Sequence, residues 1–411
     1  MAEPSVRGVR QRFAASALNY RALHIVGSRL PRLLRGRMPW VGLDRFAPPA
    51  LPGPDWVRLR PRLSGVCGTD MALLTGKTSA ILSPFASFPA VLGHEVVATV
   101  AEAGPGARPW QVGDRVVLDP VLGCVPRGLE PCRWCADGLP GLCIRGGDGS
   151  LAPAPMIGFS ADLPGGWSDE MVAHVSQLHA VPAELSDEAA VLVEPLSVAL
   201  HAVLAAPLPD DGEQVLVIGA GVVGLCTVAA LRMLAPAAQV TLIARHPAQR
   251  QMGDRLGATL ASDPLEAAVR AVGARRHRPL VGEDVLTGGF LTVYDCVGTA
   301  RSLDAALRVA GPRARVVILG GPAIVRGLDW TLAWARGLRI EGSYVYGMEQ
   351  ALPGVPHTMD AAMRLLVEQR DLPIGELVTH RFALEDWPRA MATALDRGRS
   401  AALKIVFSPT D

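Results

Sequence analysis

The pattern of apolar and polar positions divides the chain into two kinds of sequence. Short β-branched runs at residues 96–100 and 115–118, separated by Gly-Pro turns, predict a compact, mostly β first domain. From Leu196 onward, continuous apolar strands alternate with helical segments, beginning with a strand at 214–218 and a helix that runs through Leu234. Three later apolar runs repeat the pattern, at residues 240–244, 293–296 and 315–319. Alternating buried strands and helices predict a parallel, doubly wound sheet, and therefore an α/β protein.

Length and composition place few limits beyond this. The 411 residues are enough for two domains, and 49% hydrophobic with 19% charged residues is typical of a globular enzyme. No apolar run approaches the roughly 18 residues that span a bilayer. The formal net charge of +1 offers no field that would attract nucleic acid or anionic lipid. We therefore expect a small-molecule substrate, and neither a nucleic-acid nor a membrane partner.

The N-terminal segment differs from the rest in charge. Residues 1–39 contain eight arginines and a single acid, Glu3. A transit peptide has such a composition, and a basic arm on nucleic acid is a second possibility. We favour an extension that packs on the catalytic domain or on a partner subunit.

The seven cysteines do not form a disulfide pattern. Five lie at metal-ligand positions, whereas Cys226 and Cys296 lie in apolar segments as small core residues. Thiolates that bind metals are typical of a reducing compartment, so we expect a cytoplasmic protein.

The segment from Cys67 to Glu95 contains the most informative residues. A thiolate (Cys67), an imidazole (His94) and a carboxylate (Glu95) are ligands that hold zinc, and glycines beside them permit sharp turns. Thr69 places a hydroxyl where it could exchange a proton with whatever the metal binds, and Asp70 is an acceptor for the outer N–H of the histidine. Either ligand alone would be a buried thiol or a core histidine; together they predict a catalytic zinc.

A second group of ligands indicates a structural metal site. Four thiolates close a tetrahedral zinc shell without an open position, so such a site is structural. The alternative is a lobe that has lost its metal. The ligands form a C-x7-C-x2-C-x7-C cassette of Cys124, Cys132, Cys135 and Cys143, which gives an expected total of two zinc ions per chain.

A glycine fingerprint follows the strand at 214–218. Gly219 would form the tight turn, Gly221 would let a pyrophosphate approach, and Gly224 would allow close packing of helix on strand. Val222 and Val223 open the helix whose N-terminus attracts phosphate. This context predicts a dinucleotide site.

The end of the second strand indicates which dinucleotide is bound. An acid about 20 positions after the fingerprint would bind the ribose 2′-hydroxyl of NAD. Here the strand ends at Arg245 and His246, with Arg250 nearby and no acid before Asp254. A guanidinium can bind a 2′-phosphate, so we expect NADP(H) to be preferred over NAD(H). Alternatively, Arg245 stacks on adenine and both cofactors bind.

The order of these motifs resembles that of the zinc-containing medium-chain dehydrogenase/reductase family, which includes alcohol, polyol and threonine dehydrogenases. The resemblance runs from about Gly53 to the C-terminus. It also includes the segments at 112–116, 194–198 and 402–406. It implies a GroES-like catalytic domain (1–196 and 343–411, with the zinc lobe at about 119–146). A Rossmann domain (197–342) would be inserted into it.

The resemblance also implies a third metal ligand and an activity. Glu194 occupies a position where polyol and threonine dehydrogenases carry a glutamate, and either Glu194 or Glu95 would complete the zinc shell directly or through water. Glu194 could instead be a helix N-terminal charge. The family lobe spaces its first two cysteines by two residues, whereas this chain inserts five more within 125–131.

The implied reaction is hydride transfer between NADP(H) and an alcohol or carbonyl, such as a polyol or specialised metabolite, in a homodimer or homotetramer. Thr69 would relay the proton. In the family this relay often ends in a histidine three residues after the hydroxyl, and in this chain that position is Ala72. The proton would leave by the cofactor ribose, water or Glu95. Alternatives are reduction of an iminium or activated alkene, and a non-catalytic regulatory or scaffold protein.

Overall fold

The computed structural model describes residues 5–12, 16–29, 38–262, 265–282, 284–321, 324–349, 352, 354–355 and 357–409. Short strands dominate the first part of the chain, as its β-branched runs predict. The elements of this part are β1 (Val6–Gln11), α1 (Ala17–Arg29), β2 (Val41–Phe46), β3 (Trp56–Gly65), α2 (Gly68–Leu74), β4 (Ala90–Val91), β5 (Val96–Ala103), β6 (Arg115–Leu118), α3 (Arg133–Ala136), β7 (Met171–His174), β8 (Leu178–Ala180), α4 (Asp187–Ala190) and α5 (Val193–Leu204).

The later elements begin with an apolar strand. They are β9 (Gln214–Ile218), α6 (Val222–Leu234), β10 (Gln239–Ile243), α7 (Pro247–Arg255), β11 (Leu260–Ser262), α8 (Leu265–Ala271), β12 (Arg275–His277), β13 (Val285–Thr287), β14 (Phe290–Asp295), α9 (Ala300–Val309), β15 (Ala310–Ile318), α10 (Thr331–Ala335), β16 (Arg339–Gly342), α11 (Thr358–Glu368), β17 (Val378–Phe382), α12 (Trp387–Leu395), α13 (Arg397–Ser400) and β18 (Lys404–Phe407).

The chain divides into two compact units. The first comprises residues 1–194, 346–367 and 378–411, and the second comprises 195–345 and 368–377. The sequence placed 368–377 in the catalytic domain, but the segment groups with the second unit. The Gln369 side-chain amide donates to Met233 O at 3.3 Å, and Glu376 pairs with Arg255.

The first unit is built on a β-sheet, as the period of its apolar runs predicts. Its strands follow the order β17-β18-β3-β5-β6-β8, with β7 also paired to β3. Neighbouring strands are antiparallel except β17 and β18. Alternate apolar side chains of β3 and β5 are buried against each other in the core, among them Val57, Leu59 and Val100. Cys67 follows the end of β3 in this sheet, and His94 and Glu95 precede the start of β5.

The described parts of the N-terminal extension pack on the first unit. β1 lies between β2 and β4, with Val6 opposite Phe46 and Arg10 opposite Val91. Its Arg7 pairs with Asp169 at 2.8 Å. This agrees with an extension that covers the catalytic domain; residues 1–4, 13–15 and 30–37 lie outside the described part.

The second unit contains the parallel sheet predicted from the sequence. Its six strands follow the order β11-β10-β9-β14-β15-β16 and all pair in parallel. This order corresponds to 3-2-1-4-5-6, the dinucleotide-binding arrangement in which ligands bind where the order reverses, here between β9 and β14. Residues 215–217 are fully buried because helices cover both faces. Within the described ranges, every helix is too short or too polar to cross a lipid bilayer.

Candidate active site and metal centres

The Cys67 turn connects β3 to α2. Cys67 precedes the helix in an extended conformation, and its N–H donates to Asp70 Oδ2 at 2.9 Å. Asp70 is fully buried. One carboxylate oxygen therefore holds the ligand-bearing turn, while the other is left to face the imidazole of His94.

His94 is placed by the tight segment before β5. Gly93 has φ +95°, and a Cβ there would lie 2.3 Å from a ring carbon of Trp167, so only glycine fits. His94 is 3% exposed, and its Nδ1 lies 3.4 Å from Asp70 Oδ1. Burial lowers the pKa of His94, but the negative charges of Asp70 and Cys67 outweigh burial and raise it well above its ordinary value. The same charges favour a metal cation.

Three donor groups converge at this point. One ligand atom from each of Cys67, His94 and Glu95 lies within 4.8 Å of the others. Glu95 also pairs through Oε2 with the buried ammonium of Lys404. The Arg397 guanidinium interacts electrostatically with Cys67 and Glu95, and burial lowers its pKa. Thiolate, imidazole and carboxylate in a buried pocket fit a zinc ion.

Glu194 is not one of the three grouped donors, although its carboxylate interacts electrostatically with His94 and Glu95. It is in the first turn of α5 and is buried, and the Tyr346 hydroxyl donates to its Oε1 at 3.5 Å. Burial raises the pKa of Glu194 to about 7, with the charge of His94 lowering it and that of Glu95 raising it. Of the two carboxylates left open by the sequence, Glu95 is the one grouped with the other ligands.

Thr69 lies beside Nε2 of His94. It is the second residue of α2, and its Oγ1 is 3.5 Å from His94 Nε2. The α2 helix therefore brings the hydroxyl to the side of the imidazole that faces the proposed metal.

The four cysteines of the lobe converge on one centre. One sulfur from each lies within 4.8 Å of the others, and Cys124 Sγ lies 3.6 Å from Cys143 Sγ. Sulfurs about 2.3 Å from a tetrahedral zinc lie roughly 3.8 Å apart. The backbone N–H groups of Cys135 and Ile144 lower the pKa of Cys132 to about 6, which favours the thiolate. The four donors fit a structural zinc.

The lobe insertion contains its own anchor. Arg127 is 1% exposed and donates to the carbonyls of Ala154 at 2.6 Å and Leu151 at 3.2 Å. This packing ties residues 125–131 to the following loop, so the longer spacing is compatible with convergence of the cysteines. Sequence reasoning did not single out Arg127, since an arginine in a loop carries no signal of burial.

The fingerprint turn has the geometry of a phosphate site. A Cβ at Gly224 would lie 1.8 Å from Gly219 O, so only glycine allows α6 to pack this closely on β9. Gly221 precedes the helix, and Val222 and Val223 are its first two residues. Their N–H groups are free of helical acceptors, which suits an anion.

The end of β10 is basic. Arg245 is exposed there, and Arg250 donates to the carbonyls of Ala244 and Arg245 at 3.0 Å each. His246 precedes the first turn of α7. Two arginines and a histidine therefore lie at and just after the position where an NAD-binding protein would be expected to carry an acid.

Several residues around the zinc pocket were missed by sequence reasoning. Lys404 is buried and pairs with Glu95. The sequence contains only two lysines, and the position of this one inside an apolar run was a usable signal of a buried charge. Tyr346 and Arg397 lie far along the chain from the ligand motifs, so no spacing could reveal them.

Comparison with known proteins agrees with this architecture. The family model described as an alcohol dehydrogenase GroES-like domain matches residues 53–183, and the one described as a zinc-binding dehydrogenase matches 222–368. The L-threonine 3-dehydrogenase of Paraburkholderia phymatum is 27% identical over 359 residues, covering 87% of this chain and 94% of that protein.

Solved structures show the same fold. A zinc-binding dehydrogenase from Sinorhizobium meliloti 1021, crystallised with NADP, has a TM-score of 0.72 at 25% identity; 99% of this chain and all of that chain are covered. Galactitol-1-phosphate dehydrogenase from Escherichia coli has a TM-score of 0.70 at 22% identity, covering 90% and 97% of the two chains. The chain therefore belongs to the zinc-containing medium-chain dehydrogenase/reductase family and is an enzyme of its alcohol dehydrogenase/reductase type.

Proposed function

We propose that this enzyme transfers hydride between NADP(H) and an alcohol or carbonyl substrate, such as a polyol or specialised metabolite, at the Cys67–His94–Glu95 centre. The observation that carries the proposal is the Thr69 hydroxyl 3.5 Å from His94 Nε2, beside three convergent zinc donors. Such a group can move a proton to or from a substrate oxygen.

Cys67, His94 and Glu95 would hold the catalytic zinc, and Glu194 would contact the metal by exchange with Glu95 or through water. Asp70 orients His94 through its Nδ1. When bound, zinc polarises a substrate oxygen and the nicotinamide accepts or donates hydride. The Lys404 ammonium pairs with Glu95 in the buried pocket, where a carboxylate without a partner would be strongly disfavoured.

The preference for NADP(H) rests on the basic end of β10. Arg245 is exposed and can reach a 2′-phosphate, and Arg250 holds the local backbone. The NADP-bound relative from S. meliloti supports the same cofactor.

The assembly is proposed to be a homodimer or homotetramer. Trp330, Trp334 and Tyr344 are exposed beside the edge strand β16, and a second copy could cover these side chains. Light scattering should give twice or four times the chain mass; a monomer at micromolar concentration would contradict this.

A cytoplasmic location is proposed because the cysteines among the described residues are free thiols. Fractionation of cells that contain the protein tests this location, and recovery with an oxidising compartment would contradict it.

We predict that Cys67→Ser abolishes turnover and removes one zinc, because its thiolate is a ligand of the catalytic site. Cys135→Ser should instead remove the lobe zinc and lower stability. Elemental analysis with thermal melting measures both, and Cys226→Ala is the matched control for loss of a buried thiol. Retention of full zinc in Cys67→Ser would refute the ligand assignment.

We predict higher kcat/KM with NADPH than with NADH. Arg245→Asp should lower kcat/KM for NADPH on the order of tenfold or more, since a charge-assisted contact contributes about 1.5–3 kcal/mol. The matched control is Arg270→Asp, a charge reversal on the exposed face of α8. A clear NADH preference in the wild type would show that the cofactor assignment is wrong.

We predict that Thr69→Ala lowers kcat by roughly 10²–10⁴, as expected for a positioned proton-transfer group. Zinc content should be unchanged, and Thr69→Ser should retain most activity because the hydroxyl survives. Thr75→Ala removes a buried hydroxyl at the end of the same helix and controls for stability.

The assays should use alcohols, polyols and L-threonine, with their carbonyl counterparts. Full activity of Thr69→Ala on every accepted substrate would exclude the alcohol–carbonyl mechanism and favour reduction of an iminium or activated alkene.

A further inference from the structure

A second histidine–carboxylate cluster lies in the first unit, away from the cysteines. Asp119 follows β6 and His179 lies in β8, and the two strands are neighbours in the sheet. His357 precedes α11 and reaches the same place from a distant part of the chain. One ligand atom from each lies within 4.8 Å of the others.

The separation between the donors is that of metal ligands. His357 Nε2 lies 3.5 Å from Asp119 Oδ2. A charge-assisted hydrogen bond would be about 2.7–2.9 Å. Two ligands placed 2.0–2.1 Å from a tetrahedral metal lie roughly 3.3–3.4 Å apart. The distance between donor atoms is similar in the four-cysteine lobe, where two sulfurs lie 3.6 Å apart.

The hydrogen bonding of His179 suits it as a metal ligand. Its Nδ1 lies 2.8 Å from Asp360 Oδ1, so this nitrogen carries the proton and donates it to the carboxylate. Its Nε2 is buried with no hydrogen-bond partner among the described residues, and the side chain is 10% exposed. A buried lone pair without a donor is costly, whereas a cation would satisfy it.

His357 can supply the second imidazole. Its ring lies 4.4 Å from that of His179, centroid to centroid. Its Nδ1 accepts a long 3.3 Å hydrogen bond from the Met359 N–H. Coordination through Nε2 moves the ring proton to Nδ1 and replaces that contact, so binding gains a metal bond at the loss of one weak hydrogen bond.

We propose that Asp119, His179 and His357 form an additional divalent-cation site, suited to Zn²⁺ or a similar first-row metal. Two imidazoles and one carboxylate are a common zinc donor set with a fourth position open. Asp360 is a positioning residue that orients His179. Tyr346, whose ring packs edge-on to His357 while its hydroxyl contacts Glu194, is the side chain between this cluster and the proposed catalytic pocket.

The test adds Co²⁺ to wild-type protein that contains two equivalents of zinc and no excess, so that the two thiolate sites are filled and the imidazole–carboxylate cluster is left open. We expect about one equivalent of Co²⁺ to bind, with visible absorption typical of a tetrahedral ion and no thiolate charge-transfer band, because this site has no sulfur. Absence of additional binding, or a thiolate band accounting for all the bound Co²⁺, would overturn the proposal.

Variants identify the ligands. His179→Gln and His357→Gln should each lower Co²⁺ affinity at least tenfold, and Asp360→Asn should lower it by about 10–100-fold. The control His277→Gln changes an exposed histidine in the second unit and should bind as the wild type does. Thermal melting establishes that each variant is folded.

If a glutamine variant does not fold, the Asp360→Asn variant and the wild-type spectrum still decide the question. Unchanged affinity in folded His179→Gln or folded Asp360→Asn would show that the cluster is a hydrogen-bonded network only.

Discussion

The buried ion pair between Lys404 and Glu95 is the constraint on which the catalytic pocket depends. Their side chains are 1% and 2% exposed, and removal of each charge from water costs several kcal/mol unless it is compensated. Lys404 begins β18, which pairs with β3 next to the Cys67 turn, with Val406 opposite Gly65. The last strand therefore completes the environment of ligands that lie more than three hundred residues earlier.

This pair also explains the charge pattern of the pocket. Asp70, Cys67 and Glu95 supply negative charge, and Lys404 compensates Glu95 without approaching His94 as a hydrogen-bond partner. The remaining negative charge raises the pKa of His94, so the ring is surrounded by groups that favour a positive centre. A metal cation would meet that demand, with the imidazole neutral as its ligand.

The sequence predicted features whose determinants are local. The fingerprint turn was predictable because the strand, Gly219–Gly224 and the helix are contiguous. The cysteine lobe was predictable because the spacing of the four cysteines along the chain indicates that their sulfurs meet at one point. Arg127 was not predictable, since an arginine in a loop carries no signal of burial. Tyr346 and the cluster of Asp119, His179 and His357 were not predictable either, since strand pairing and the return of the chain bring these residues together. Segment 368–377 groups differently from the expected domain boundary because its packing on the second unit rests on individual contacts, such as Gln369 with Met233.

The catalytic pocket and the second cluster share one construction. In each, a carboxylate faces histidine Nδ1, Asp70 beside His94 and Asp360 beside His179, at 3.4 Å and 2.8 Å. The short contact is a hydrogen bond, whereas the 3.4 Å separation at His94 is too long for one. A proton on Nδ1 that faces a carboxylate leaves the lone pair of Nε2 available to a cation. In the catalytic pocket the nearest additional donors are a thiolate and a carboxylate, and Thr69 lies beside Nε2. In the second cluster the donors are an imidazole and a carboxylate, and no described threonine or serine hydroxyl is hydrogen-bonded to the histidine pair. The difference in neighbouring groups, rather than in the histidine itself, is the reason to propose proton transfer at the first pocket and cation binding alone at the second.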